Sequence, residues 1–156
     1  RADRPTSYPC NGEVGQMNCL ITIHDMHLTD GQPERSEMIT NADIEGSAGH
    51  YTVRYNEPSD EMKGCSTCIS VTGGCCVEIT REGAYNTVMR IEKGRRNICC
   101  YSTPVGNFMM GISGYMVASE FKAGRLIKLE FAYELDAEGT LLSKNRIRIT
   151  AEKNIL

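Results

Sequence analysis

Strict alternation of apolar and polar residues, interrupted at short intervals by glycine-containing turns, is the feature that most constrains the fold of this chain. In residues 125–136, five apolar side chains fall on one face and charged side chains on the other. Because the side chains of a β-strand repeat every two residues, this pattern predicts a half-buried strand. A turn at residues 136–139 and a second alternating run at 147–151 predict that the strand is part of a hairpin.

The same alternation recurs upstream, and the whole chain reads as nine or ten strands. Short connections favour an antiparallel meander, because parallel neighbours would need long crossovers. A meander with this many strands hides its edges by closing on itself. The sequence therefore predicts an all-β fold, a closed or nearly closed antiparallel barrel of about 8–10 strands. Residues 115–122 lack a clear strand pattern and are expected to form a helical turn at most.

Length and composition fit a single soluble domain. The chain has 156 residues, of which 40% are hydrophobic and 24% charged, which is a globular rather than a disordered balance. No apolar run approaches the roughly 18 residues of a membrane-spanning helix, so no membrane association is expected. Residues 1–16 show no periodicity and are predicted to be an N-terminal tail or leader, and residues 17–156 are predicted to form the barrel domain.

Several short motifs resemble those of the YwiB-like family of small bacterial proteins. The most specific is Tyr-Ser-Thr-Pro-Val-Gly at residues 101–106, which is similar to the family's Tyr-x-Thr-Pro-x-Gly signature. Weaker matches surround it, so the resemblance covers about residues 17–152. It implies a lipocalin-like (calycin-type) barrel but no activity, since the family is uncharacterised. The chain contains no Trp, so the Gly-x-Trp signature of true lipocalins is missing.

Two charged side chains are the first candidates for a binding site inside such a barrel, which can hold one small ligand. Arg81 shares its strand face with Ile79, and Glu57 shares its face with Val53. If these faces point inward, Arg81 would orient an anionic head group through paired hydrogen bonds. The alternative is that Arg81 and Glu57 satisfy each other or lie in water at the strand ends.

Tyr101, Thr103 and Tyr133 are further candidates to hydrogen-bond a ligand in the same interior. The signature that contains Tyr101 and Thr103 also has a structural explanation. Its Pro104 and Gly106 are typical of a strand that runs into a turn. Both interpretations stay open from the sequence.

A cluster of basic residues offers a second functional hypothesis. The net charge of the chain is −3, which makes a general nucleic-acid binder unlikely by charge alone. However, the segment from Arg90 to Arg96 carries four cationic side chains around a predicted turn. It could belong to an interaction or scaffold protein that meets an acidic partner, with RNA as one candidate, or it could be an ordinary solvated hairpin tip.

Eight cysteines bear on the compartment and on metal binding. Two vicinal pairs, at residues 75–76 and 99–100, fit a disulfide framework poorly, because adjacent strand residues point to opposite faces. Reduced thiols in a bacterial cytoplasm are therefore expected. Cys65 and Cys68 with the first vicinal pair resemble a zinc site, but the spacing is far shorter than in common zinc ribbons. A zinc- or redox-responsive protein remains a third hypothesis.

No catalytic motif, metal site or cofactor-binding loop is predicted. The sequence therefore favours a non-enzymatic binding module whose barrel takes a small, partly apolar molecule, with an anionic head group as one option.

Overall fold

Ten β-strands make up the described part of the chain. The structure is a computed structural model that describes residues 13–58, 64–83 and 86–152, with the backbone alone for residues 13–15, 101 and 103. The strands are β1 (Glu13–Thr29), β2 (Gln32–Ser47), β3 (His50–Asn56), β4 (Ser66–Thr72), β5 (Cys76–Glu82), β6 (Thr87–Glu92), β7 (Arg96–Thr103), β8 (Gly106–Lys122), β9 (Arg125–Ala137) and β10 (Thr140–Glu152).

The strands form one closed antiparallel barrel. Each strand pairs with its neighbours in sequence, and the first strand closes the barrel by pairing with the last. This arrangement confirms the predicted all-β meander, at the upper end of the expected strand number. Tight hairpins make it possible: the two-residue turn Glu138-Gly139 joins β9 and β10 with both residues at positive φ, a geometry that matches the twist of paired strands.

An aromatic contact joins β3 and β8. Tyr51 at the start of β3 packs edge-to-face against Phe121 near the end of β8, with ring centroids 5.2 Å apart. The hydroxyl of Tyr51 also lies 2.5 Å from Ser119 Oγ, so its polar atom is satisfied where the ring is buried. Tyr51 belongs to the buried core, which consists mostly of inward-facing aliphatic side chains, and Phe121 packs against that core.

Strand β8 differs from the sequence prediction for residues 115–122. These residues continue the strand instead of forming a helical turn. A register shift between Gly114 and Met116 inserts a bulge, and the bulge changes the phase of the alternation, which hid the strand in the sequence. Gly114 also packs against the β6–β7 turn, where a Cβ atom would collide with the carbonyl oxygen of Glu92.

The barrel begins earlier than Met17, the predicted start of the domain. Strand β1 starts at Glu13 and contains a register shift between Gln16 and Cys19. Gln16 is buried, and its Oε1 accepts a hydrogen bond of 2.8 Å from the backbone N–H of Leu126. Residues 1–12 of the predicted tail lie outside the described residues. Within the described segments, no helix has the length and apolarity to cross a membrane.

The boundary between β6 and β7 is the least regular seam of the barrel. Thr87 and Tyr101 are the one residue pair in register across it in the described chain, whereas β3 and β4 are in register along their whole length. Side chains replace part of the backbone ladder here. Cys99 Sγ donates to the carbonyl oxygen of Val88 at 3.1 Å, and Asn97 Nδ2 donates to that of Arg90 at 3.5 Å.

Candidate ligand-binding site

The interior of the barrel contains a partly open cavity of about 470 Å³, and neither Tyr51 nor Phe121 lines it. This volume lies in the range of small-molecule sites. Its walls are mostly aliphatic, aromatic and thioether side chains, among them Ile23, Ile69, Ile79, Met89, Phe131 and Ile149. Its polar lining residues are Asp25, Ser36, Tyr55, Glu57, Arg81 and Tyr133. The cavity is therefore amphiphilic.

Arg81 and Glu57 both line this cavity, and they contact each other. Arg81 Nε lies 3.6 Å from Glu57 Oε2. Thr67, which is in register with Arg81, donates from Oγ1 to the same carboxylate oxygen at 2.5 Å and accepts from Arg81 Nε at 3.4 Å. The Glu57 side chain is 8% exposed and that of Arg81 is 23% exposed. The structure therefore agrees with the alternative in which Arg81 and Glu57 are partners of each other.

Mutual satisfaction uses only part of the donor capacity of Arg81. A guanidinium has five N–H donors, and Nε is the one that contacts Thr67 and Glu57. Among the described residues, the two terminal nitrogens of Arg81 make no hydrogen bond to protein. They can therefore donate to an acceptor atom of a molecule in the cavity, while Glu57 keeps the guanidinium in place.

Tyr55 lies beside this pair and stays neutral. Burial, with a smaller contribution from the negative charge of Glu57, raises the pKa of the Tyr55 hydroxyl well above its ordinary value. The hydroxyl therefore acts as a neutral hydrogen-bonding group in the cavity.

Asp25 is a cavity residue that was not singled out from the sequence. Its Oδ1 atom is buried and has no hydrogen-bond partner in the described part of the chain. The Asp25 side chain as a whole is 40% exposed, and His27 Nδ1 lies at ion-pair distance, 3.6 Å, from Oδ1. His27 Nε2 makes a shorter contact of 2.8 Å with Glu34. The hydrogen bond to Glu34, with smaller contributions from Asp25, raises the pKa of His27. The alternation through Ile21, Ile23 and Asp25 was the signal that could have found it.

Of the other predicted site residues, Tyr133 lines the cavity, where its ring stacks on Phe131 with centroids 6.2 Å apart. Tyr101 and Thr103 lie in β7, in register with Phe108 and Gly106. Their side chains lie outside the described part of the chain, so their proposed hydrogen bonds stay predictions.

The basic turn between β6 and β7 is accompanied by carboxylates. Arg90 and Arg95 lie 3.2 Å and 3.5 Å from Glu92, and the hydrogen bond from Arg90 lowers the pKa of the Glu92 carboxyl. Arg96 makes two hydrogen bonds, of 2.7 Å and 2.9 Å, to Asp136 on β9. Much of the positive charge of this turn is therefore offset within the protein.

The described cysteines are all unpaired thiols. Cys65 is buried before β4, and Cys68 is partly exposed on the outer face of that strand. In residues 13–58, 64–83 and 86–152, no group of three or more His, Cys, Asp or Glu side chains is close enough to hold a metal ion.

A second concave region lies outside the barrel. It measures about 580 Å³ across the outer faces of β2 to β5, and polar side chains such as Asn41, Arg54 and Asn56 line most of it. We regard the interior cavity as the better candidate for a partly apolar molecule, because the outer groove offers little apolar surface.

Comparison with known proteins agrees with this architecture. Residues 21–149 match the model of a family described as Domain of unknown function (DUF1934). The crystal structure of ywiB protein from Bacillus subtilis is similar over 89% of this chain and 96% of that chain, with a TM-score of 0.65 and 22% sequence identity. At this identity, the likeness shows a shared fold. No curated protein matches this chain.

Proposed function

This chain belongs to the DUF1934 family and has a YwiB-like barrel that fits a lipocalin-like description, and we propose that it is a non-enzymatic binding module. The proposed ligand is a small, partly apolar molecule that occupies the barrel cavity. Its polar head carries an acceptor oxygen, a carboxylate in the anionic case, that receives hydrogen bonds from Arg81.

The amphiphilic lining of the cavity is the observation that supports this proposal most. Apolar side chains line most of about 470 Å³ of space, and Arg81, Glu57 and a few other polar side chains share its wall. Removing an apolar chain from water into such a space is favourable by roughly 25 cal/mol for each Å² buried. The polar side chains then set the orientation of the ligand, because unpaired polar atoms are costly in a buried site.

Arg81 has the geometry of an orienting group. Glu57 and Thr67 contact Arg81 through its Nε atom and so restrain the guanidinium group. Its two terminal nitrogens therefore keep a fixed direction when they donate to a ligand. Tyr55 and Tyr133 line the same cavity, and the Tyr55 hydroxyl stays neutral there.

Native mass spectrometry of freshly purified protein tests the proposal. We expect a co-purifying small molecule on the wild-type chain and at least about tenfold lower occupancy on Arg81→Ala, because a hydrogen bond to a charged group contributes about 1.5–3 kcal/mol. Arg81→Lys should retain an intermediate occupancy, since it keeps the charge but loses the planar donor pair.

Arg54→Ala is the matched control. Arg54 lies on the outer face of β3 and lines the outer groove, so this variant removes the same charge without touching the cavity. It should keep the molecule. Loss of the molecule from Arg54→Ala but not from Arg81→Ala would place binding in the outer groove and contradict the proposal.

The alternative function, an interaction surface at the basic turn, has weaker support because Glu92 and Asp136 accompany its arginines. We also propose a reducing compartment such as the cytoplasm, which the unpaired described cysteines support.

A further inference from the structure

Part of strand β2 has a neighbouring strand on one side only. Strand β1 pairs with β2 along residues 32–42, but β3 pairs with β2 only from Asp43 to Ser47. Because Arg54 is level with Asp43, the last residue of β3, Asn56, is level with Asn41 if the register continues. Residues 34–38 therefore extend past the end of β3. In the described part of the chain, their backbone groups on the side away from β1 meet no other strand.

An unpaired strand edge pairs readily with another strand. Many proteins protect such edges with charged side chains, because like charges meet when two copies approach each other. In β2 the charges have opposite signs. Arg35 and Glu37 lie two residues apart on the outer face, and both are exposed. Whether they prevent or favour pairing between two copies therefore depends on the register.

One antiparallel register of two β2 strands places unlike charges opposite each other. Residues directly opposite in an antiparallel pair lie on the same face of the sheet, so in a symmetric pair one residue lies opposite its own copy. With Ser36 at this central position, Arg35 of each copy is opposite Glu37 of the other. With Arg35 or Glu37 at the centre, like charges meet instead.

The neighbouring side chains fit the same register. Ile39 is 57% exposed, and this register places it opposite Pro33 of the other copy. Pro33 has no backbone N–H, so the ladder ends there. Arg35 forms no ion pair with the described residues, whereas Glu37 contacts His24 at 3.3 Å. Pairing of two copies therefore gives Arg35 a carboxylate partner and removes apolar surface of Ile39 from water.

We propose that the β2 edge at residues 34–38 docks a second copy of the chain, in a symmetric antiparallel pair centred on Ser36. Such a contact uses the same surface on both copies, so it closes at two copies and does not extend into a fibre. Ser36 and Met38 also line the cavity, so the strand of the second copy continues the cavity wall on this side. The inference is independent of what the cavity binds.

Sedimentation equilibrium of the full chain over a concentration series tests the proposal. We expect a monomer–dimer equilibrium for the wild type. Arg35→Glu should weaken the dimer at least about tenfold, because it turns two attractive charge pairs into repulsive ones, and Glu37→Arg should have the same effect. The variant that carries both substitutions should regain the dimer, since it restores unlike charges across the same contact.

Arg54→Glu is the matched control. It makes the same charge reversal on the outer face of β3, beside the part of β2 that already has two neighbouring strands, and it should leave the dimer unchanged.

Ser36→Cys adds a measurement that does not depend on charge. In the proposed register, the Cα atoms of the two copies of this residue lie about 4.5–5.5 Å apart, which is within the range of a disulfide. Mild oxidation should therefore give a covalent dimer above the wild-type background on a non-reducing gel. Thr40→Cys lies on the same face further from the centre of the pair, so its two copies should not be linked.

The outcomes decide for or against the β2 edge. A chain that stays monomeric at every concentration overturns the proposal, and so does a dimer that neither charge reversal weakens, because it uses another surface. Single reversals that weaken the dimer without recovery in the double variant would mean that Arg35 and Glu37 are not opposite each other. Linkage of Thr40→Cys in place of Ser36→Cys would also overturn the proposed register.

Discussion

Two arginine–carboxylate pairs in this protein differ in their surroundings. On the outer face, Arg96 and Asp136 make a two-point ion pair across Gly111, where a Cβ atom would collide with the guanidinium. In the cavity, Arg81 and Glu57 make a single longer contact. In the outer pair, two nitrogens of Arg96 bind both carboxylate oxygens of Asp136. In the interior pair, the terminal nitrogens of Arg81 are left to donate to another molecule.

The outer pair predicts a specific pH dependence of stability. The hydrogen bond from Arg96 lowers the pKa of Asp136 from its ordinary value of 3.8 to about 2, with help from the backbone N–H of Gly139. Because the folded-state pKa is depressed, the stabilisation is fully present above pH 3.8 and is lost as the pH falls toward about 2. Urea denaturation should show Asp136→Asn less stable than the wild type at neutral pH, and this difference should shrink toward zero as the solution becomes strongly acidic.

Glu138→Gln is the control for that prediction, since Glu138 lies two residues further along in the exposed β9–β10 turn. It should alter stability little at any pH. A difference between wild type and Asp136→Asn that stays constant through the acid range would show that Asp136 titrates normally and would refute the assigned ion pair.

Strand parity explains which site residues were predictable from the sequence. Arg81 and Glu57 follow runs of apolar residues at every second position, so their inward direction could be read directly. Asp25 follows the same rule after Ile21 and Ile23, but the polar residues around it at 24 and 27 make the alternation of this part of β1 less regular. The position of His27 between Asp25 and Glu34 could not be predicted, because it depends on how β1 and β2 meet in three dimensions.

Among the elements, the β6–β7 seam has the weakest backbone pairing that the described residues show. Cys99 and Asn97 donate side-chain hydrogen bonds to carbonyl groups of β6, so part of the usual ladder is replaced by longer contacts. A further concave region of about 490 Å³ lies along this side and shares Arg81 with the cavity. The seam is therefore close to the proposed ligand head.

Hydrogen exchange should detect this difference between elements. Peptides from β6 and β7 are expected to exchange at least severalfold faster than peptides from β3 and β4, which are in register along their whole length, because local opening costs less where fewer backbone hydrogen bonds must break. Mass spectrometry after timed labelling measures the rates. Equal protection of the two strand pairs would mean that β6 and β7 form a continuous ladder.

Element boundaries were less predictable from the sequence than the elements themselves. The hairpin of β9 and β10 followed from its alternation and its Glu138-Gly139 turn. The bulge after Gly114 and the irregular start of β1 near Asn18 break the two-residue period. At both bulges the alternation of apolar and polar residues stops although the strand continues, so the sequence pattern predicts a strand end that the structure does not have.

At the scale of the whole molecule, closure turns ten separate strand faces into one interior. The Tyr51–Phe121 contact packs part of this interior, and another part remains open as the amphiphilic cavity. Sequence alternation predicted the closed barrel, but it could not predict the cavity volume, which depends on how completely the inward side chains fill the barrel.

Methyl NMR under xenon pressure tests the central claim, an accessible apolar cavity inside the barrel, independently of any head group. Xenon binds apolar cavities, so the methyl signals of Ile23, Ile69 and Ile79, which line the cavity, should shift with xenon pressure. Ile39 and Ile98, each 57% exposed, should stay near their original positions. Unmoved signals from the lining isoleucines, or larger shifts at Ile39 and Ile98, would show that the interior offers no binding space and would contradict the account.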